Sequence, residues 1–385
     1  MNICIFSTTF FPNTGGGERF IHGLGTHLSE SQTVFVLVPF DQKMLVNFKP
    51  NYSILRLRFI NPFLQHKRLL EAILLLNLSY YHLKYRFNLV QAVVLYEPGF
   101  VAGIFGKIFN VPVILRPTGE DIQFDKSISY GRISNPFYKS RVTQALNLAT
   151  KIVAISPTVK KTIMEFTNGK LKEKIVGISN GVDLEKFKIG EIGVTKKIGE
   201  IRLLTVGRNV PKKDYPTMLK ALAVVVKEFP QAHLDIVGGN EGGLTPIISQ
   251  LGITNNVTLL GKLPKDRGDF LQYPPQEVLD LYNKADLFVF SSLIEGCPNV
   301  ILEAISAKLP IVAANSPGTW DYVKDLQTGL LFKPGNFVDM ANKIIKLIKD
   351  KDLYCKIQEY QKKYSQEFDW SEIAQRYLKL YNNIT

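Results

Sequence analysis

Apolar residues along this chain fall into short unbroken runs and into helical stripes, and the two alternate from one end to the other. The first run, residues 2–7 (NICIFS), ends in polar residues and is followed by Gly15-Gly16-Gly17 and by a helical pattern over 18–28. VFVLV (34–38) is the next run. A parallel strand covered on both faces must be continuously apolar, so this opening reads as a βαβ unit. YSILRLRF (52–59), LVQAVVLY (89–96), VPVILRP (111–117), KIVAIS (151–156) and KIVGIS (174–179) extend the series. Helical patterns stand between them at 66–84, 99–109, 137–148 and 157–166, which predicts one open parallel sheet of six or seven strands.

The alternation then starts again. NGVDLEKF (180–187) leads into a polar stretch ending in GEIGVTKKIGE, and residues 188–199 read as a linker. IRLLTVG (201–207), HLDIVGG (233–239), VTLLG (257–261), DLFVFS (286–291), PIVAA (310–314) and GLLF (329–332) are the second set of strands. Helices are expected at 215–229, 245–251, 277–283 and 299–307. The division is therefore a first α/β domain over 1–187, a second over 200–366, and a tail over 367–385. In that tail Trp370, Ile373, Tyr377, Leu380 and Tyr381 recur at helical spacing, so the stripe must be buried somewhere. Pattern alone leaves open whether it covers its own domain or the first. A length of 385 residues with 45% hydrophobic content suits two cores better than one.

Composition narrows the class. Lysine and arginine number 47 against 34 acidic residues, a formal charge of +13, which suits nucleic acid, an anionic membrane surface or phosphorylated small molecules. Neither a continuous basic stripe nor a nucleic-acid reading motif is present, so nucleic acid is set aside. The most apolar long stretch, residues 69–83, contains Glu71 and is too short to span a bilayer. The start MNICIFSTTFF has no basic leader segment and does not read as a signal peptide. Cys4, Cys297 and Cys355 have no metal-like spacing and suit a reducing compartment. The five histidines, His22, His27, His66, His82 and His233, form neither a triad nor a metal cluster by spacing.

In open α/β sheets ligands sit beyond the carboxyl ends of strands, so the residues just after each strand are the candidates. Gly16 and Gly17 open a helix, where a backbone without Cβ atoms can approach an anion; a plain tight loop is the competing reading. In the second domain Gly207, Arg208, Lys212 and Lys213 follow a strand. A guanidinium fork and an ammonium in one loop suit a diphosphate, with Lys213 the favoured lysine. Glu295 follows DLFVFS, and Pro298-Asn299 start a helix whose Val300 and Ile301 N–H groups are expected to face a ligand. Glu303 lies in that helix, so two glutamates eight positions apart offer two sets of hydroxyl acceptors, although Glu303 also fits a plain surface position. In the first domain Arg116, Thr118, Gly119, Glu120 and Asp121 follow one strand and Glu97 another.

PNTGGGE, SNGVDLEKF, VGRNVPKKDYPTMLKAL, ADLFVFSS, EGCPNVILEAISAKLPIVAANSPG, TGLLF and the late tryptophan in FDW together resemble one family over nearly the whole chain. It is the large group-1 class of retaining glycosyltransferases of the GT-B fold, which includes sucrose synthases, mannosyltransferases and bacterial surface-polysaccharide transferases. The resemblance implies two Rossmann-like doubly wound domains facing each other across a cleft, with the last helix crossing back to the first. It implies a UDP- or GDP-sugar as donor substrate, no metal or other cofactor, and a glycan or lipid-linked saccharide as acceptor. Arg208 and Lys213 would meet the pyrophosphate, Glu295 the transferred sugar and reacting carbon, and Glu303 the ribose. Gly16, Gly17, Gly207, Cys297, Pro298, Asn299 and Val300 would line the donor. Asp121 is expected to act with the reacting groups, and Glu97, Thr118, Gly119 and Glu120 to touch sugar or acceptor.

One departure stands out: relatives commonly carry histidine where this chain has Thr118, and threonine neither holds charge nor titrates near neutral pH. The rival readings are a non-catalytic nucleotide-sugar-binding subunit and a nucleotide-sugar epimerase or hydrolase. Residues 58–87, with Arg58, Lys67, Arg68, Lys84 and Arg86 among leucines and aromatics, fit ordinary packed helices or a surface for anionic lipid. The expected location is the cytoplasm, including the inner face of the plasma membrane, in polysaccharide biosynthesis of the cell envelope.

Overall fold

The computed structural model describes residues 1–13, 15–39, 48–58, 66–187, 200–263 and 274–385. They form two compact units, Met1–Gly181 with Trp370–Thr385, and Val182–Asp369. Thr14, the expected linker 188–199, residues 59–65 of the basic segment and residues 264–273 lie outside the described residues.

Among the described residues, the first unit holds a seven-stranded sheet ordered β3-β2-β1-β4-β5-β6-β7. The strands are β1 (Asn2–Phe6), β2 (Thr33–Val38), β3 (Ser53–Arg56), β4 (Leu89–Val93), β5 (Val113–Arg116), β6 (Lys151–Ala154) and β7 (Ile175–Gly177). Its ladders are parallel. Five helices connect them: α1 (Gly16–Leu28), α2 (Lys67–Tyr85), α3 (Phe100–Phe109), α4 (Pro136–Leu148) and α5 (Pro157–Phe166). Asn135 and Ser156 cap α4 and α5 through their side chains, each followed by proline at the first helical position. The chain moves outward from β1 to β3, then returns to β4 and moves outward on the other side. Strand order thus reverses between β1 and β4, the place where such sheets bind ligands. β4 is shorter than the LVQAVVLY run suggests. Val94 turns to φ 79°, and Leu95–Gly99, extended at Tyr96, forms a wide turn closed by the Gly99 N–H on the Val94 carbonyl, which carries Glu97 into α3.

The second unit repeats the plan with six described strands, ordered β10-β9-β8-β11-β12-β13. They are β8 (Ile201–Val206), β9 (Ala232–Val237), β10 (Val257–Gly261), β11 (Leu287–Phe290), β12 (Ile311–Ala314) and β13 (Gly329–Phe332). The helices are α6 (Tyr215–Glu228), α7 (Thr245–Gln250), α8 (Gln276–Lys284), α9 (Asn299–Ser306), α10 (Phe337–Lys349) and α11 (Lys351–Tyr364). Leu219, Leu222 and Val225 of α6 and Met340, Ile344 and Leu347 of α10 pack on one face of the sheet. Val278 and Tyr282 of α8 and Ile301, Leu302 and Ile305 of α9 pack on the other. α10 and α11 were not among the expected elements. Here the reversal falls between β8 and β11.

The last helix, α12 (Trp370–Asn382), belongs to the first unit. Its Trp370 indole lies so close to two glycines that a Cβ on Gly23 would come within 2.2 Å of the ring and one on Gly181 within 2.4 Å. Tyr377 packs on Phe20 of α1, and the buried Tyr381 hydroxyl donates to Gln91 in β4. The second unit begins and ends at neighbouring residues: the Val182 N–H donates to the Phe368 carbonyl at 2.7 Å, and Val182 bridges Asp369.

Candidate active site

The loops after β8 and β11 are sewn together, and the sewing brings opposite charges into contact. The first loop leaves β8 at Gly207, whose carbonyl accepts the Tyr215 hydroxyl at 2.7 Å. It is pressed against Gly238, where a Cβ would lie 2.0 Å from the Gly207 oxygen, so only glycine fits there. A tight turn over Pro211–Lys213 follows, and the Asp214 side chain caps α6. The β11 loop then docks on this turn. The Ser291 hydroxyl donates to the Lys213 carbonyl at 2.7 Å, and the Leu293 N–H donates to the Lys212 carbonyl at 2.7 Å.

That docking places Glu295 between two lysines. Lys213 Nζ lies 2.7 Å from Glu295 Oε1 and Lys212 Nζ 2.9 Å from Oε2. The Ser292 hydroxyl donates to Oε1 at 2.6 Å. The Glu295 backbone is held as well, its N–H donating to the Pro317 carbonyl at 2.9 Å. Gly318 stands so near that a Cβ would meet the Glu295 carbonyl at 2.0 Å. Burial alone would raise the Glu295 carboxyl, but the Lys213 and Lys212 ammoniums outweigh it and bring the group down to about 2. Lys213 also lies 4.5 Å from the centre of the Phe290 ring, and Arg208, exposed at the rim, is close enough to act on Lys213 by charge. The cluster carries one net positive charge before Arg208 is added.

α9 begins just beyond, at Asn299, with Pro298 before it and no side-chain cap. One expectation needs correction: the Ile301 N–H is taken by the Pro298 carbonyl at 2.9 Å. Among the described residues the Val300 N–H has no acceptor, so it is the amide of that pair open to an anion. Glu303 is not a surface residue. It is 3% exposed, and the Tyr282 hydroxyl of α8 donates to its Oε2 at 2.9 Å. Cys297 is half-buried beside α9.

The candidates of the first unit gather beyond β1, β4 and β5. A Cβ on Gly17 would meet Val93 and Thr118 at 3.8 and 3.9 Å, so the start of α1 lies over the ends of β4 and β5. Gly16 opens the helix, which has no side-chain cap, and the Glu18 carboxylate folds back towards Gly15. Asp121 does a different job from the one expected of it. It is 1% exposed; Oδ1 accepts the Thr118 and Gly119 N–H groups at 2.9 and 3.0 Å, and Oδ2 accepts the Leu95 N–H at 2.9 Å. With both oxygens taken by backbone it staples the β5 loop to the β4 loop. It is a positioning residue. Glu120 points outward and pairs with Arg132 at 3.2 Å. Glu97 is half-buried, and burial raises its carboxyl, with Arg132 and Lys67 pulling the other way and Glu71 adding to the rise. Arg116 is interior: it is 1% exposed, hydrogen-bonds Asn180 and lies 3.6 Å over the Phe20 ring.

One participant escapes sequence reasoning and another is underrated by it. Lys212 stood second to Lys213 among the candidates, yet it holds the other oxygen of Glu295. Tyr282 reaches Glu303 from 21 positions away and has no local signal at all. Among the described residues no three His, Cys, Asp or Glu side chains come together as a metal site.

Comparison with known proteins gives a consistent result. Residues 193–364 match the family described as Glycosyl transferases group 1, and residues 14–186 match Glycosyltransferase Family 4. The capsular polysaccharide biosynthesis glycosyltransferase CapM of Staphylococcus aureus is 28% identical over 60% of this chain and 62% of its own length. An uncharacterized glycosyltransferase of Methanocaldococcus jannaschii is 25% identical over 77% of this chain and 76% of its own. The D-inositol 3-phosphate glycosyltransferase of Nocardia farcinica is 26% identical over 62% of this chain and 54% of its own length. Among solved structures, a glycosyltransferase of Rickettsia africae superposes with a TM-score of 0.80 at 19% identity, covering 100% of this chain and 98% of that one. Anabaena HepE in complex with UDP and glucose superposes with a TM-score of 0.75 at 20% identity, covering 100% of both chains.

Proposed function

Because this chain belongs to the group 1 glycosyl transferases, with two Rossmann-like domains of the GT-B architecture, we propose that it moves a sugar from a UDP- or GDP-sugar to a saccharide acceptor, with retention at the anomeric carbon. The observation that carries this reading is the Lys212–Glu295–Lys213 cluster at the point of strand reversal between β8 and β11. Its excess positive charge, with Arg208 at the rim and the Val300 N–H close by in sequence, is what a diphosphate needs. Charge-assisted contacts of this kind are shorter and about twice as strong as neutral ones.

In this reading the incoming diphosphate draws Lys213 and Arg208, and the Glu295 carboxylate, already ionised well below neutral pH, turns to the hydroxyls of the sugar. Glu303, fixed by Tyr282, holds the ribose hydroxyls. The bond between the anomeric carbon and the phosphate oxygen breaks while the acceptor hydroxyl attacks from the same face. The acceptor proton passes to the departing phosphate oxygen, whose growing charge the two cations stabilise. Charge for the leaving group comes from side chains and backbone, so no metal is invoked. The HepE complexes with UDP and with UDP-glucose favour UDP among the two nucleotides. The acceptor is a glycan or a lipid-linked saccharide. No described helix is long and apolar enough to cross a membrane, and we place the protein at the cytoplasmic surface of one.

The test is a thermal-shift screen of UDP- and GDP-sugars, followed by transfer assays with NMR of the product anomer. A UDP-sugar should raise the melting temperature of the wild type and not of Lys213→Ala, and Glu295→Ala should abolish transfer. Equal stabilisation of Lys213→Ala, or near-normal turnover by Glu295→Ala, overturns the assignment.

A further inference from the structure

α2 is apolar on two opposite faces. Leu74, Leu78 and Tyr81 are buried in the first unit. Leu69, Leu76, Tyr80 and Leu83 are 50%, 69%, 49% and 58% exposed. Steps of seven, four and three residues at 3.6 residues per turn keep those four within an arc of roughly 60°, on the side away from the buried face. Ala72 is exposed and Ile73 half-buried beside them, so the outer stripe continues without a charged residue. At 1.5 Å per residue it runs about 21 Å. A helix exposing one such row in water needs a partner for it.

Charge around the stripe identifies that partner. Arg68 is exposed at its start, and Lys84 and Arg86 at its end, while Lys67 turns to the other side, over the Phe137 ring. Exposed Arg58 lies 5.5 Å from the centre of the Tyr80 ring. The helix has a single carboxylate, Glu71, and it is buried and held by Arg141 through two contacts of 2.9 Å. We infer that the outer face of α2 seats this protein on an anionic phospholipid surface, leucines and Tyr80 entering the headgroup boundary while the terminal cations meet lipid phosphates. This deepens the membrane-surface location given above and rests on it. A second copy of the chain fits worse. Whether two α2 helices pair parallel or antiparallel, cations at the ends of one meet cations at the ends of the other, with no exposed acid on either helix to offset them. The attraction of these cations to an anionic leaflet is screened by salt.

Co-sedimentation with vesicles tests this. The wild type should sediment with vesicles of phosphatidylglycerol and phosphatidylcholine, far less with phosphatidylcholine alone, and dissociate in high salt. Leu76→Asp/Leu83→Asp should lower binding to the anionic vesicles at least ten-fold. Lys84→Glu/Arg86→Glu, which leaves the apolar row intact, should remove the preference for anionic lipid. Both variants should keep the wild-type thermal shift with a UDP-sugar. If both variants bind vesicles as the wild type does, α2 is not the seat, although the membrane location stands. If the wild type ignores anionic vesicles, the location falls too. A dimer in sedimentation equilibrium that Leu76→Asp/Leu83→Asp dissociates, without vesicle binding, also overturns the inference. None of these outcomes touches sugar transfer, which is read separately by the response to UDP-sugars.

Discussion

Replacing Glu295 with glutamine keeps the shape of the side chain and removes its charge, leaving the Lys212 and Lys213 ammoniums facing each other without a carboxylate between them. The cost follows from linkage. The carboxyl has an ordinary value of 4.5 and stands at about 2 in the folded protein, because the two lysines more than offset burial. At about 1.4 kcal/mol per pH unit, the ionised group contributes about 3 kcal/mol to the fold. A depressed carboxyl stabilises fully above its unfolded value and loses that stabilisation as pH falls through its folded value. Wild type should therefore exceed Glu295→Gln by about 3 kcal/mol from pH 7 down to about 5, and by only about 1 kcal/mol at pH 2.5. Urea unfolding in a Trp370→Phe background leaves Trp320 as the sole tryptophan, and Trp320 lies in the unit that holds Glu295. A gap that stays constant from pH 5 to 2.5 would refute the claim that the lysines hold this carboxylate ionised.

Further outcomes follow from the same geometry. Lys213→Met should raise the dissociation constant for UDP about ten-fold or more, against a smaller rise for Lys212→Met, as titration calorimetry would show; equal losses would make Lys212 a full phosphate ligand. Asp121→Asn keeps the size but cannot accept three backbone N–H groups equally well, so it should cost about 2 kcal/mol in thermal unfolding and slow transfer at saturating donor. An unchanged melting temperature would contradict its role as a staple. Gly23→Ala puts a methyl 2.2 Å from the Trp370 ring and should destabilise the first unit by about 1–3 kcal/mol, seen as earlier loss of Trp370 fluorescence in urea.

The strands were legible because a parallel strand covered on both faces leaves no room for polar residues, and NICIF, VFVLV and DLFVFS announce themselves on that ground alone. The strand-end rule singled out the Arg208–Lys213 and Glu295 loops, and the structure joins them at the reversal between β8 and β11. What the sequence withheld was direction. Lys212 and Lys213 differ in no local property, yet the turn over Pro211–Lys213 sends both ammoniums to one carboxylate more than 80 positions away. Asp121 looked like a reacting acid because it follows a strand, but the tight turn at Gly119 turns two backbone N–H groups onto it and the β4 loop adds a third from Leu95. Glu303 fitted a surface position because its partner, Tyr282, is on another helix. α10 and α11 went unread because they follow the last strand and connect no pair of strands. The tail's stripe likewise said that something must cover it, and only the slots at Gly23 and Gly181 say what.

The placement of α12 also orders biosynthesis. Residues 182–369 are one uninterrupted stretch whose two ends meet at Val182 and Asp369, so that portion can fold as soon as it has been translated. The first unit cannot. Its α1 surface, with Phe20 and the groove for Trp370, stays bare until residues 370–382 arrive, after the whole of the other unit has been made. The portion translated first is therefore completed last, and a nascent chain arrested before residue 370 would display a folded second half tethered to an unfinished first half, a natural substrate for chaperones.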